Sequence, residues 1–109
     1  MQVFVTGATG WVGSAVVQDL LAAGHRVRGL ARSPDKARVI AAAGAALVHG
    51  TLDDLALLRR EAGQADAVVH TAFDHDFSRF ADNAAQDRLA IEALGEGLAG
   101  SDRLLLVSS

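Results

Sequence analysis

Three glycines stand at equal spacing in Gly7-Ala8-Thr9-Gly10-Trp11-Val12-Gly13, directly after the short apolar run Val3 to Val5. After them comes a helical pattern of apolar residues, Val12-Ala15-Val16-Leu20. A strand that runs into Gly-x-x-Gly-x-x-Gly and then into a helix is built to hold a pyrophosphate. The first glycine lets the chain turn out of the strand, the second removes a side chain that would block the phosphates, and the third lets helix and strand pack closely. The helix then aims its unpaired N–H groups and the positive end of its dipole at the anion. Gly7, Thr9, Gly10, Trp11, Val12 and Gly13 are therefore candidate contacts to a dinucleotide. Trp11 is better read as a packing or substrate-side residue than as a platform for stacked bases.

Arg32 bears on which dinucleotide. Where NAD is preferred, an acidic side chain at the end of the second strand accepts hydrogen bonds from the ribose hydroxyls. Here that position falls on Ala31, which cannot accept them, and Arg32, Ser33 and Lys36 follow. A guanidinium, a hydroxyl and a helix N-terminus together suit a 2′-phosphate, which arginine can grip with two parallel hydrogen bonds. The expected cofactor is NADP, with NAD as the alternative. A solvated surface arginine is the plainer reading of the same residue.

These residues need a frame, and the chain supplies one by alternating strands and helices. Strands are expected at Gln2 to Thr6, Arg26 to Ala31, Ala46 to His49, Ala67 to Thr71 and Leu104 to Val107. Helices are expected from Val12 to Ala23, from Pro34 behind a Ser33 cap to Ala43, from Asp53 to about Ala62, and from about Ser78 to Leu98. The third helix reads as acidic at its start (Asp53, Asp54) and basic near its end (Arg59, Arg60), as the dipole favours. The Ala-rich stretch 41–46 reads as a helix end packed tightly on the sheet. Short apolar strands separated by helices predict a parallel sheet covered on both faces. With right-handed crossovers and a nucleotide at the first turn, the strand order is 3-2-1-4-5. The fold class is α/β, a Rossmann-type doubly wound sheet cut short after its fifth strand, with residues 1–109 as one dinucleotide-binding domain.

Composition narrows the function by exclusion. At 109 residues the chain is one domain by length, small for an enzyme that must hold both a dinucleotide and a substrate. A net charge of −3 and a pI near 5.7 give no global attraction to nucleic acid or anionic membrane. No cysteine is present, which rules out disulfides and thiolate metal sites and fits a reducing cytoplasm. The N-terminal apolar run is too short for a signal peptide, and nothing approaches a membrane span. His70, Asp74, His75 and Asp76 lie close in sequence, but a loop offers no helical face to set metal geometry, so no metal is expected.

Thr6 to Gly13, TGATGWVG, resembles the TGxxGxxG signature of the extended and atypical short-chain dehydrogenase/reductases, the group that includes the NAD-dependent epimerases and dehydratases. LARSPDKA (Leu30 to Ala37), GTLDD (Gly50 to Asp54), DAVVHTAF (Asp66 to Phe73) and LLLVSS (Leu104 to Ser109) match as well. The resemblance implies that Leu52 covers the adenine. Thr51 stands where the family has an aspartate for the exocyclic amine, and it could equally cap the next helix. By the same resemblance the backbone of Thr71, Ala72 and Phe73 passes under the pyrophosphate and ribose, with Phe73 walling the nicotinamide side. Asn83 falls where related epimerases place an asparagine near the ribose, and Ser108 falls where the family carries its carbonyl-polarising serine. His70 reads as a buried, hydrogen-bonded strand residue.

The family's Tyr-x-x-x-Lys pair, in which lysine lowers the tyrosine pKa for proton exchange, has no counterpart here, because the chain contains no tyrosine. No catalytic residue can therefore be named. The expectation is the cofactor-binding part of an oxidoreductase or epimerase acting on a small molecule, with NADP preferred. The alternative is a non-catalytic NADP-binding regulatory or redox-sensing module. If the chain ends at Ser109, the edge of the fifth strand should be covered by a partner, as in a homodimer.

Overall fold

The computed structural model describes residues 1–8, 10–71 and 80–107. Among the described residues, strands and helices alternate: β1 (Gln2–Thr6), α1 (Trp11–Ala22), β2 (Arg26–Ala31), α2 (Pro34–Ala43), β3 (Ala46–His49), α3 (Leu55–Gln64), β4 (Ala67–His70), α4 (Phe80–Leu98) and β5 (Leu104–Val107). The strands form one parallel sheet in the order β3-β2-β1-β4-β5. β1 lies at its centre, with Val5 opposite Gly29 on one side and Val69 on the other.

Strand side chains alternate between two apolar layers, as the pleat requires. Val3, Val5, Val27, Ala31 and Val69 pack with Val17 of α1 and Ile40 of α2. Phe4, Leu30, Val48 and Val68 pack with Leu58 of α3 and Leu94 of α4 on the opposite face. The inner strands β1, β2 and β4 are thus covered on both sides, which is why they read as apolar runs, whereas Leu104 and Leu106 of β5 stay about half exposed. α3 and α4 approach closely because Gly97 has no side chain. A Cβ there would lie 2.4 Å from the Arg59 carbonyl oxygen.

The strand order puts the topological switch between β1 and β4. The helices that follow those two strands, α1 and α4, pack on opposite faces of the sheet, the arrangement in which a doubly wound fold takes its ligand at the carboxyl ends. The glycine turn leads out of β1 at this point.

The third helix departs from expectation. It begins at Leu55 rather than Asp53 and runs on to Gln64. The two acidic residues are used in the turn before it. The Asp53 N–H donates to Thr51 Oγ1 at 3.2 Å, and the Thr51 N–H donates to Asp54 Oδ2 at 3.0 Å. Arg59 and Arg60 consequently sit in mid-helix, and Arg59 pairs with Glu96 of α4 at 3.1 Å instead of serving the helix end. β4 stops at His70 because Thr71 turns its hydroxyl back onto β1. The alanines 41–43 are exposed, and of that stretch only Ala45 is buried.

Candidate dinucleotide site

β1 ends in Thr6, which is fully buried, and Gly7 follows at φ +62°, a left-handed conformation that favours glycine. The turn closes with the Gly10 N–H donating to the Gly7 carbonyl at 3.0 Å. Gly10 caps α1 in extended conformation (φ −76°, ψ 176°), and its carbonyl accepts the Ser14 N–H at 2.8 Å. Gly13 is where α1 touches the turn. A Cβ there would fall 1.8 Å from the Gly7 oxygen and 2.8 Å from Thr71 Oγ1. The first turn of α1 contains no acidic residue, so no side chain of that turn competes with an anion for its N-terminal N–H groups. This backbone cradle has the shape and sign to take a pyrophosphate.

β2 delivers the next part. Ala31 is 2% exposed and packs in the apolar layer, and its methyl side chain offers no hydrogen-bond acceptor. Arg32 is exposed and, among the described residues, pairs with nothing. Ser33 caps α2 by accepting the Lys36 N–H at 3.3 Å, with Pro34 in the first turn. The one acid in that turn, Asp35, is engaged by Arg38. Among the described residues, Arg32 is therefore a cation without a partner beside a capped helix N-terminus at the carboxyl end of the sheet.

β3 reaches the same edge, where the Gly50 N–H donates to the Ala31 carbonyl at 3.1 Å. Thr51 spends its hydroxyl on the Asp53 N–H, which closes the turn ahead of α3 and does not cap the helix itself, since no side chain caps α3. Leu52 leans half-buried on the layer around Phe4.

At the end of β4, His70 is 1% exposed, with both ring nitrogens engaged: Nδ1 lies 2.7 Å from Thr6 Oγ1 and Nε2 lies 2.5 Å from Asp87 Oδ1. The Thr71 N–H donates to Thr6 Oγ1 at 3.2 Å, and the Thr71 hydroxyl donates to the Thr6 carbonyl at 2.7 Å. His70 is thus a buried, hydrogen-bonded strand residue. Asp87 went unnoticed in the sequence, although it falls on the inward stripe of α4, three and seven residues before the buried Ala90 and Leu94. An acid on an apolar stripe is the signal that points to it.

The structure thus gathers Gly7, Gly10, Val12, Gly13, Arg32, Ser33, Leu52 and Thr71 at one edge of the sheet. Thr9, Ala72, Phe73 and Ser108 lie outside the described residues, as do the Asp74 to Asp76 loop and the Trp11 and Asn83 side chains. Among the described residues, no helix is long and apolar enough to cross a membrane.

Residues 7–109 match the family model for NAD(P)H-binding domains. An uncharacterized protein of Schizosaccharomyces pombe is 48% identical over the whole of this chain, which covers 37% of its length. A 4-hydroxy-2-methyl-3-oxo-4-farnesyl-3,4-dihydroquinoline-1-oxide ketoreductase of Stigmatella aurantiaca is 36% identical over 66% of this chain and 22% of its own. Among solved structures, the yeast methylglyoxal/isovaleraldehyde reductase complexed with NADPH superposes with a TM-score of 0.75. It is 27% identical and covers all of this chain, which spans 37% of that one. The chain spans 37% of the length of this Schizosaccharomyces pombe relative and of the yeast reductase.

Proposed function

Because the chain belongs to the NAD(P)H-binding family, we propose that it is the cofactor-holding part of an oxidoreductase or epimerase of the short-chain dehydrogenase/reductase type, with NADP preferred. The observation that carries this reading is the pairing of two features at one end of the sheet: a glycine cradle with no acid in its helical turn, and an exposed Arg32, without a partner among the described residues, beside the Ser33 cap. The cradle fits any dinucleotide, whereas Arg32 fits the one that carries a 2′-phosphate. The NADPH bound in the related yeast reductase supports the same choice.

In this reading the nicotinamide supplies the hydride chemistry, and the chain supplies position. Gly7, Gly10 and Gly13 let the backbone approach the pyrophosphate, while α1 stabilises its charge. Arg32 and Ser33 select the phosphorylated ribose, Leu52 offers an apolar surface to the adenine, and Thr71 holds the floor. The backbone of Ala72 and Phe73, with Ser108, completes the proposed contacts. A small carbonyl or alcohol is the proposed substrate, and its proton donor lies beyond the residues named here. β5, with Leu104 and Leu106 about half exposed, offers an edge for further strands or for a second copy. The lack of cysteine fits a reducing compartment, and we place the protein in the cytoplasm.

The test is a pair of titrations on the intact protein with NADPH and NADH, followed by an assay of NADPH oxidation against a panel of aldehydes and ketones. Tighter NADPH binding with turnover supports the reading. Tight binding without turnover on any carbonyl would favour a cofactor-sensing module, and no binding of either nucleotide would overturn both.

A further inference from the structure

Among the described residues Asp87 hydrogen-bonds to none of the proposed cofactor contacts, yet it closes a hydrogen-bond chain that ends on them. Its Oδ1 lies 2.5 Å from His70 Nε2, His70 Nδ1 lies 2.7 Å from Thr6 Oγ1, and Thr6 Oγ1 accepts the Thr71 N–H at 3.2 Å. The Thr71 hydroxyl then donates to the Thr6 carbonyl at 2.7 Å and reaches the Gly7 carbonyl at 3.3 Å.

Proton counting gives the chain a direction. A carboxylate only accepts, so Nε2 carries a proton toward Asp87. In the neutral imidazole, Nδ1 is then a lone pair and takes the single hydroxyl proton of Thr6. The Thr6 oxygen stays free to accept from Thr71, and every donor has one acceptor. The opposite tautomer would set the bare Nε2 lone pair against the Asp87 carboxylate with no proton between them, and would take from the Thr6 hydroxyl its acceptor on Nδ1. Thr6 is fully buried and His70 is 1% exposed, so water cannot repair such a mismatch.

We propose that Asp87 is a positioning residue for the dinucleotide cradle. By fixing the Nε2–H tautomer of His70 it orients the Thr6 hydroxyl, which holds Thr71 against the Gly7 turn, and α4 thereby helps to set the cradle's shape. This inference rests on the reading of the Gly7 turn as a dinucleotide site. A pair that merely anchored α4 would matter for stability and leave the affinity of folded molecules unchanged.

The test combines long-range ¹⁵N–¹H correlation spectra of the His70 ring with NADPH titrations of the intact protein, in wild type, Asp87→Asn and Asp87→Ala. Wild type should show its ring proton on Nε2. Asp87→Asn presents an amide that donates as readily as it accepts, so it should weaken the tautomer preference and bind NADPH more weakly than wild type. Asp87→Ala should lose the tautomer preference and bind NADPH roughly five- to twentyfold more weakly. Thr6→Val should weaken binding similarly and Thr6→Ser restore it, which keeps the test open should Asp87→Ala not fold. A wild-type ring protonated on Nδ1, or on both nitrogens, would overturn the proposal, as would folded Asp87→Ala or Thr6→Val with undiminished affinity. A wild-type protein that binds no dinucleotide is a failure of the cradle reading itself, visible before any variant is made.

Discussion

The Cβ that Gly13 lacks would lie 1.8 Å from the carbonyl oxygen of Gly7. No side-chain rotation relieves an overlap with backbone, so even Gly13→Ala must push α1 off the end of β1. We expect it to cost about 2–3 kcal/mol of stability and to open the turn, because overpacking a tight contact is absorbed as backbone movement. Urea unfolding of the variant checks this, and near-wild-type stability would contradict the geometry.

Gly10 should behave in the opposite way. Its φ of −76° suits any residue, and an added Cβ would meet the Gly7 oxygen at 3.4 Å, an ordinary contact. Gly10→Val should therefore fold, yet lose dinucleotide binding because the side chain occupies the approach to the pyrophosphate. Calorimetry on the folded variant decides it, and unchanged NADPH affinity would remove Gly10 from the cradle.

Stability should depend on an ion pair far from the site. Glu61 of α3 is 4% exposed and receives two hydrogen bonds from Arg28 of β2, at 3.0 and 3.1 Å. Hydrogen bonding to Glu61 raises the Arg28 pKa above its ordinary value, partial burial opposes the rise, and the Glu61 charge adds to it. Arg28→Met should strand a buried carboxylate and cost roughly 3 kcal/mol, most of it recovered in the Arg28→Met, Glu61→Leu double variant. A cation whose folded pKa is raised contributes fully below its unfolded pKa and is lost only at higher pH. The Arg28 side of the pair should thus stay constant up to about pH 11. Thermal unfolding of the three proteins measures both effects.

Arg103 joins two helix ends. Its guanidinium donates to the carbonyls of Gly63 and Ala65 at 2.8 and 2.7 Å, and to that of Gly97 at 3.3 Å. These oxygens lie at the ends of α3 and α4, where backbone acceptors have run out of helical partners. Arg103→Ala should cost about 1–3 kcal/mol and leave NADPH affinity unchanged, since it acts on the layer away from the cradle. Loss of affinity at retained stability would contradict that separation.

Much of this was legible because glycine and periodicity report directly on backbone. Gly7, Gly10 and Gly13 after an apolar run specify a turn and a close approach, and the structure has both. Ser33-Pro34 marked the start of α2, and Gly44, at φ +94°, its end. The start of α3 was misplaced because Asp53 and Asp54 suit a first helical turn as well as the capping turn that they form. Asp87 was missed for a different reason. Its role depends on His70, seventeen residues away, and no local spacing records a contact between a strand end and a helix packed across it.

The central claim is a dinucleotide cradle tuned to the 2′-phosphate, and Arg32 tests it most directly. The measurement is the dissociation constants of NADPH and NADH for wild type and Arg32→Ala in the intact protein. A charge-assisted contact at an exposed edge contributes on the order of 1.5–3 kcal/mol, so NADPH should bind roughly ten- to a hundredfold more weakly to the variant, with a shallower salt dependence. NADH should be almost unaffected. Equal loss for both nucleotides, or none for either, would contradict the assignment of Arg32 to the phosphate and with it the preference for NADP.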